Sequence, residues 1–292
     1  MTIEYKLLDH GYLKLIESWG SDQRIIESAR MSTDKGFLGW DHYRQCRKCE
    51  EVDHVDVAGS PSHPGNCRFE LDAAGMSIGL HDWRDVPDGD MGLLRYLWKN
   101  KHSTPFEFSG LTIEVQAPIF VFREWHRHRV PFGYSELSAR YTPMPDINYV
   151  PTLERCKMGG GHLTKQAGSV AGSAELTDET VIAWLDELEF FYAQAQNLYQ
   201  LGLDLGLPKE LARIVVPVGR YSRMRATGNL RGWLAFLALR NASTAQYEIR
   251  VFAERVAALL QVIFPRTYAI AHGVAPTNDP ENQSTASVST SP

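Results

Sequence analysis

Apolar residues change their period from segment to segment, and the period indicates which elements form. Between Tyr5 and Ile16, two short apolar runs flank Asp9-His10-Gly11. This predicts two short strands about a turn, with Gly11 supplying the positive φ of a tight hairpin. A helix follows, capped by Ser21 or Asp22, with Ile25, Ile26 and Ala29 on its buried side. From about Thr33 to Asp90, Gly, Pro, Asp and His become frequent and apolar periodicity fades, which reads as an insertion. Period returns in Gly92–Trp98, a short helix ending before Lys101-His102-Ser103-Thr104-Pro105. Leu111, Ile113 and Val115 alternate with Thr112, Glu114 and Gln116, the signature of a half-buried strand. Pro118 opens a helix from about Ile119 to His128, and Pro131 and Gly133 break it into a loop.

The second half reads as mostly helical. Val181, Trp184, Leu185, Leu188, Phe191, Ala195 and Leu198 form an amphipathic stripe that ends near Gly206-Leu207-Pro208. Glu210–Arg225, Leu230–Arg240 and Ala245 to about Phe264 give three more helical patterns, with Ser243-Thr244-Ala245-Gln246 as a capping box for the last. The segment 276–292, rich in Ser, Thr, Asn and Pro, is expected to be disordered. The outcome is one domain over 1–275, interrupted at about 33–90, with no internal repeat.

A chain of 292 residues, 43% hydrophobic, buries enough core to fold without disulfides. Its start lacks the apolar stretch of a signal peptide, and no segment has the apolar length of a membrane span, so a cytoplasmic location is expected. Four cysteines fit a reducing compartment. Cys46 and Cys49, with His54, His63 and Cys67, admit two readings: free thiols in a polar loop, or half a zinc knuckle that orders the insertion. No metal is assigned to the chemistry.

Against a formal net charge of −5, six basic side chains crowd into eighteen residues: Arg123, His126, Arg127, His128, Arg129 and Arg140. One basic loop on an acidic chain does not suit a general nucleic-acid coat. It suits a pocket for an anion, such as a nucleotide or a phosphorylated cofactor. A solvated helix end is the plainer alternative. Arg213 and Arg240 stand in apolar surroundings, where a charge needs a partner; Glu210 and Glu248 are candidates. Trp98, Trp125, Trp184 and Trp233 fall at helical spacings that favour packing over ligand stacking.

The stretch Arg127-His128-Arg129 through Ser138-Ala139-Arg140-Tyr141 resembles the signature of the flavin-dependent thymidylate synthases. The likeness extends to Ala29-Arg30-Met31-Ser32, His102-Ser103-Thr104-Pro105-Phe106-Glu107, Leu211–Pro217, and Leu239-Arg240 with Ala245–Ile249, in the family's order. It implies an α+β fold with a mixed sheet and long helices, and a homotetramer whose active sites are shared between subunits. It also implies FAD, NADPH and methylenetetrahydrofolate, and methylation of a uridine nucleotide at C5, without nucleic-acid or membrane partners. By the same resemblance, Ser32, His102, Thr104, Arg127, His128, Arg129, Glu136 and Asn229 correspond to cofactor contacts. Glu124, Arg127, Glu136, Ser138, Arg140, Arg213 and Arg240 correspond to the nucleotide site, with Arg240 as the catalytic residue that polarises the pyrimidine.

This chain departs from the family pattern in places. Eight residues separate Arg129 from Ser138 instead of seven, Ser135 replaces the usual Asn, and Ala235 and Thr244 stand where many members place Asn and His. Related enzymes of nucleoside-antibiotic pathways methylate UMP, so both dUMP and UMP stay open. None of the cysteines falls in a family catalytic block, which argues against a thiol nucleophile. Two rivals stand beside this reading: an RNA-binding protein, and a flavoprotein that only oxidises NADPH.

Overall fold

The computed structural model describes residues 3–41, 43–46, 52–54, 70–71, 77–78, 83–86, 88–158 and 176–274. The class is α+β. In chain order the described elements run β1 (Glu4–Leu7), β2 (Gly11–Trp19), α1 (Asp22–Arg30), β3 (Tyr43–Cys46), β4 (Val52–His54), β5 (Glu70–Leu71), β6 (Ser77–Ile78), β7 (Trp83–Val86) and α2 (Gly89–Lys99). There follow β8 (Gly110–Pro118), α3 (Ile119–Trp125), β9 (Gly133–Glu136), α4 (Leu153–Lys157), α5 (Asp178–Asp204), α6 (Lys209–Ala212), β10 (Tyr221–Asn229), α7 (Leu230–Arg240), α8 (Tyr247–Ile263) and α9 (Pro265–His272). They divide into two compact units, Met1–Trp19 with Ser109–Ile263, and Gly20–Phe108 with Phe264–Pro292.

The first unit is built on a five-stranded sheet in the order β1-β2-β8-β10-β9. Every pairing in it is antiparallel, where a mixed sheet was expected. The helices pack on the strands instead of linking parallel neighbours, so no crossover forces a parallel pair. The hairpin about Asp9 forms, but Leu8, at φ 56°, takes the left-handed conformation assigned to glycine. Gly11 is required by close approach instead, because a Cβ there would lie 2.6 Å from the Leu7 carbonyl oxygen.

Two further expectations fail in this unit. The helix read over Glu210–Arg225 is instead α6, a 3-10 turn over Arg213–Val215, and then β10. Pro217 and Gly219 interrupt it, and from Ser222 onward the burial alternates: Met224 and Ala226 point into the core while Arg223, Arg225 and Thr227 point out. The loop after Pro131 likewise contains β9, which extends the sheet along β10. The capping box does not form, because α8 begins at Tyr247 and Gln246 Nε2 donates to Glu248 Oε2 at 3.0 Å.

Leu111, Ile113 and Val115 face the helices, as their alternation predicts. Trp125 stacks on Phe236 with ring centroids 4.9 Å apart, and Trp233 donates its indole N–H to the Leu111 carbonyl. These two tryptophans are fully buried, whereas Trp98 and Trp184 are partly exposed. Helix α5 starts at the Thr177 cap and ends before Gly206, at φ 76°. Of its apolar stripe, Val181 and Ala195 are buried while Trp184, Phe191 and Leu198 face outward.

In the second unit, α1, α2 and α9 pack together. Ser21 caps α1 through the Arg24 N–H. Asp22 is buried and accepts from the backbone N–H groups of Arg266 and Thr267, which caps α9. Asp90 pairs with Arg30 and accepts from the Leu38 and Gly39 N–H groups. The insertion holds two small sheets, β4-β3-β7 and β5-β6. Cys49, His63 and Cys67, the side chains of Cys46 and His54, and segment 276–292 lie outside the described residues. Among the described residues, no cluster suited to a metal ion occurs and no helix is long and apolar enough to cross a membrane.

Candidate active site

Strand β8 delivers the chain into α3 at Pro118, and α3 gives out after Trp125 in a tighter turn. The N–H of Arg127 reaches the Glu124 carbonyl at 3.4 Å, and that of His128 reaches the Trp125 carbonyl at 3.0 Å. The expected helix therefore stops short of His128. This turn brings Glu124 and His128 to the end of α7, where Arg240 stands.

Arg240 holds both of them. Its Nη1 donates to Glu124 Oε2 at 2.5 Å, its Nη2 to the Glu124 carbonyl at 3.1 Å, and its Nε to His128 Nε2 at 2.9 Å. Neither Glu210 nor Glu248 is its partner: Glu210 pairs with Arg140 at 3.3 Å and Glu248 with Arg155 at 2.6 Å. Arg240 is 18% exposed and Glu124 39%, so the pair is open to a ligand on one side. A guanidinium has five N–H groups, so two remain for that ligand.

His128 is fixed from several directions. Its ring lies edge-on to Phe236, with centroids 4.9 Å apart, and its carbonyl accepts from the Tyr134 hydroxyl at 2.6 Å. Burial, and secondly the Arg240 charge, lower its proton affinity below the ordinary imidazole value, while Glu124 acts in the opposite sense. A neutral ring accepting at Nε2 is what the Arg240 contact requires.

Glu124 and Arg240 line a cavity of about 820 Å³, together with Arg155, Ser243, Tyr247 and Arg250 among others. The other predicted residues lie off this cavity. Arg127 and Arg129 are exposed beside it in sequence, Glu136 is exposed on β9, and Ser138 Oγ accepts from the Arg140 N–H at 3.3 Å. Arg140 and Arg213 are exposed, and the Arg140 segment meets α6 through Glu210 and through Lys209, whose Nζ donates to the Tyr141 carbonyl. Asn229 caps α7 by accepting from the Gly232 N–H at 3.0 Å. Ser32, His102 and Thr104 are exposed in the second unit.

Arg155, Tyr247 and Arg250 were not singled out in the sequence. A signal was present: Glu248 is a charge between Tyr247 and Ile249 on an apolar helix face, which demands a cation opposite it. Cys156, the free thiol among the described side chains, lies elsewhere and lines a separate apolar cavity with Trp184; burial raises its pKa.

The loop between Arg129 and Ser138 is packed onto the start of α7. Phe132 stacks on Tyr134 and meets Trp233 edge-on, and a Cβ at Gly232 would lie 2.4 Å from Pro131 Cδ.

Comparison with known proteins gives a consistent set of relatives. The family model described as thymidylate synthase complementing protein matches residues 14–266. A flavin-dependent thymidylate synthase of Thermosipho africanus is 29% identical over 268 residues, 91% of this chain and 92% of that one. One from Thermotoga neapolitana is 35% identical over 217 residues, 74% of this chain and 88% of its own. Among solved structures, a UMP/dUMP methylase, PolB from Streptomyces cacaoi bound with 5-Br dUMP, aligns with TM-score 0.64 at 26% identity, covering 92% of this chain and 98% of that chain. Its complex with 5-Br UMP aligns with TM-score 0.62 and covers 93% and 99%.

Proposed function

Because the chain belongs to the thymidylate synthase complementing protein family, we propose that it is a flavin-dependent methyltransferase acting at C5 of a uridine 5′-monophosphate, with dUMP first and UMP as the alternative. The observation that carries this reading is Arg240, held by Glu124 and His128 through three of its five N–H groups.

C5 of uracil is a weak nucleophile. A guanidinium at the N3 edge draws negative charge to that side and stabilises the electron-rich form in which C5 attacks. Arg240 suits this role because its three existing bonds fix the direction of the two that remain, so little reorganisation accompanies the reaction. No thiol is needed in this scheme, and the position and raised pKa of Cys156 fit its absence from the chemistry.

The donor set fits a flavin dinucleotide. Arg127 and Arg129 are exposed guanidiniums suited to a diphosphate, and with neutral His128, Glu136 and Asn229 they are the proposed cofactor contacts of the first unit; Ser32, His102 and Thr104 are those proposed on the second. When bound, FAD supplies the reducing equivalents taken from NADPH that turn a one-carbon unit from methylenetetrahydrofolate into a methyl group.

Arg140, Arg213 and Ser138 do not line the Arg240 cavity of their own chain. We assign them to the nucleotide site of a neighbouring copy in a homotetramer. The exposed apolar residues of α5, among them Trp184, Phe190, Phe191, Leu198, Leu201 and Leu205, support such an assembly.

UMP is kept as the alternative for a specific reason. Eight residues separate Arg129 from Ser138, the loop they form packs Phe132 against Trp233, and the solved PolB structures are of a UMP/dUMP methylase. The test is competition: enzyme, NADPH and methylenetetrahydrofolate with dUMP and UMP together, and identification of the methylated nucleotide by mass. Methylation of neither would refute the proposal.

A further inference from the structure

The cavity beside Arg240 carries more positive charge than activation of a pyrimidine uses. Among the described residues, three arginines line it, Arg155, Arg240 and Arg250, against one carboxylate, Glu124. Arg240 is balanced by Glu124. Arg155 is balanced from behind by Glu248, which is 4% exposed and takes Arg155 Nε at 2.6 Å and Nη2 at 3.2 Å. Arg250 is the least balanced, with Glu254 at 3.9 Å, the limit of an ion pair.

Both outer arginines are set in place before any ligand arrives. Their guanidinium carbons lie 5.3 Å and 5.9 Å from the Tyr247 ring centroid, and Arg250 Nη1 donates to the Ser243 carbonyl at 2.9 Å. Each is 24% exposed, which is too buried for a freely solvated surface charge and open enough to be reached. Arg155 keeps Nη1 free of these bonds, and Arg250 keeps most of its N–H groups, so donors remain. At about 820 Å³ the cavity stands near the upper end of the range that takes one small ligand. There is room for a charged group beyond the base that meets Arg240.

We infer that the wall formed by Arg155, Tyr247 and Arg250 is an oxyanion subsite that binds the carboxylate or phosphate end of a substrate, separate from the Arg240–Glu124 pair. The identity of that anion rests on the proposed function, which offers two sources: the glutamyl carboxylates of the folate and the 5′-phosphate of the nucleotide. Both are planar or tetrahedral oxyanions that a guanidinium fork recognises through paired N–H bonds.

Arg250→Gln tests this, since it removes the least balanced charge and leaves the buried Arg155–Glu248 pair intact. Binding to the flavin-loaded protein is measured by calorimetry for tetrahydrofolate against tetrahydropteroate, which lacks the glutamyl end, and for UMP against uridine. The wild type is expected to favour the charged member of a pair, and Arg250→Gln to shrink one of the two preferences by about tenfold while binding the uncharged member as before. The folate pair identifies carboxylate as the ligand and the nucleotide pair identifies phosphate. Arg250→Lys is expected to restore part of the preference. Survival of both preferences in Arg250→Gln, or equal weakening of charged and uncharged members, overturns the assignment. These measurements need no turnover, so failure of the wild type to methylate would refute the proposed function and leave this test standing.

Discussion

The Nε–H of Arg240 donates to Nε2 of His128 across 2.9 Å, so the imidazole that receives it is neutral and carries its own proton on Nδ1. A protonated ring could not accept that bond, and it would set two cations face to face. The Arg240 guanidinium is thus coupled to the protonation state of its neighbour.

An unfolded imidazole titrates near 6.5 (about the model-peptide value), and the folded His128 value is lowered by burial first and Arg240 second. Its contribution is present in full above the unfolded value and is lost as pH falls through the lower folded one. The acid limb of kcat/KM is expected below the ordinary histidine range. His128→Gln, whose amide oxygen still accepts from Arg240, should lose that limb; an unchanged limb would remove His128 from the account.

Glu248 makes a stability prediction. Burial disfavours its charge, but the Arg155 and Gln246 bonds outweigh burial and hold its pKa below the usual carboxylate range. This contribution is present above about 4.3, the model-peptide value, and is lost as pH falls through the depressed folded value. Glu248→Gln leaves Arg155, 24% exposed, without its counterion, at a cost of about 2–3 kcal/mol after allowing for solvent access. Urea unfolding near neutral pH measures it. A difference under about 0.5 kcal/mol would place Glu248 among ordinary surface charges.

Gly232→Ala puts a methyl group where Pro131 Cδ stands 2.4 Å away and Phe132 Cε2 3.3 Å away. The loop 130–137 must yield, at a cost of about 1–3 kcal/mol. If that loop sets sugar preference, the ratio of kcat/KM for dUMP over UMP should shift severalfold. A stable variant with an unchanged ratio would locate the preference elsewhere.

The exposed side of α5 predicts an assembly. Leu201→Asp introduces a charge at a side chain that is 52% exposed in the single chain, so the protomer should fold as before. Light scattering coupled to gel filtration is expected to show a smaller species than the wild type. An unchanged mass would free this face from the interface.

Much of this architecture is legible in the sequence because burial imposes period. Leu111, Ile113 and Val115 announced β8, and the stripe from Val181 announced α5. Strand β10 was hidden because Arg223, Arg225 and Thr227 face solvent while the inward positions include Ala226 and Gly228, too small to mark an apolar alternation. The Glu124–Arg240 contact joins residues 116 positions apart, and no local pattern fixes which carboxylate a buried arginine will choose. Glu210 and Glu248, nearer in sequence, went to other arginines.

Release of tritium from C5 of dUMP and UMP tests the central claim most directly, because the label leaves only when that carbon is substituted. Wild-type enzyme with FAD, NADPH and methylenetetrahydrofolate is expected to release it, and Arg240→Gln, folded and flavin-loaded, to release it at least about a hundredfold more slowly. Equal release by the two proteins would contradict the account.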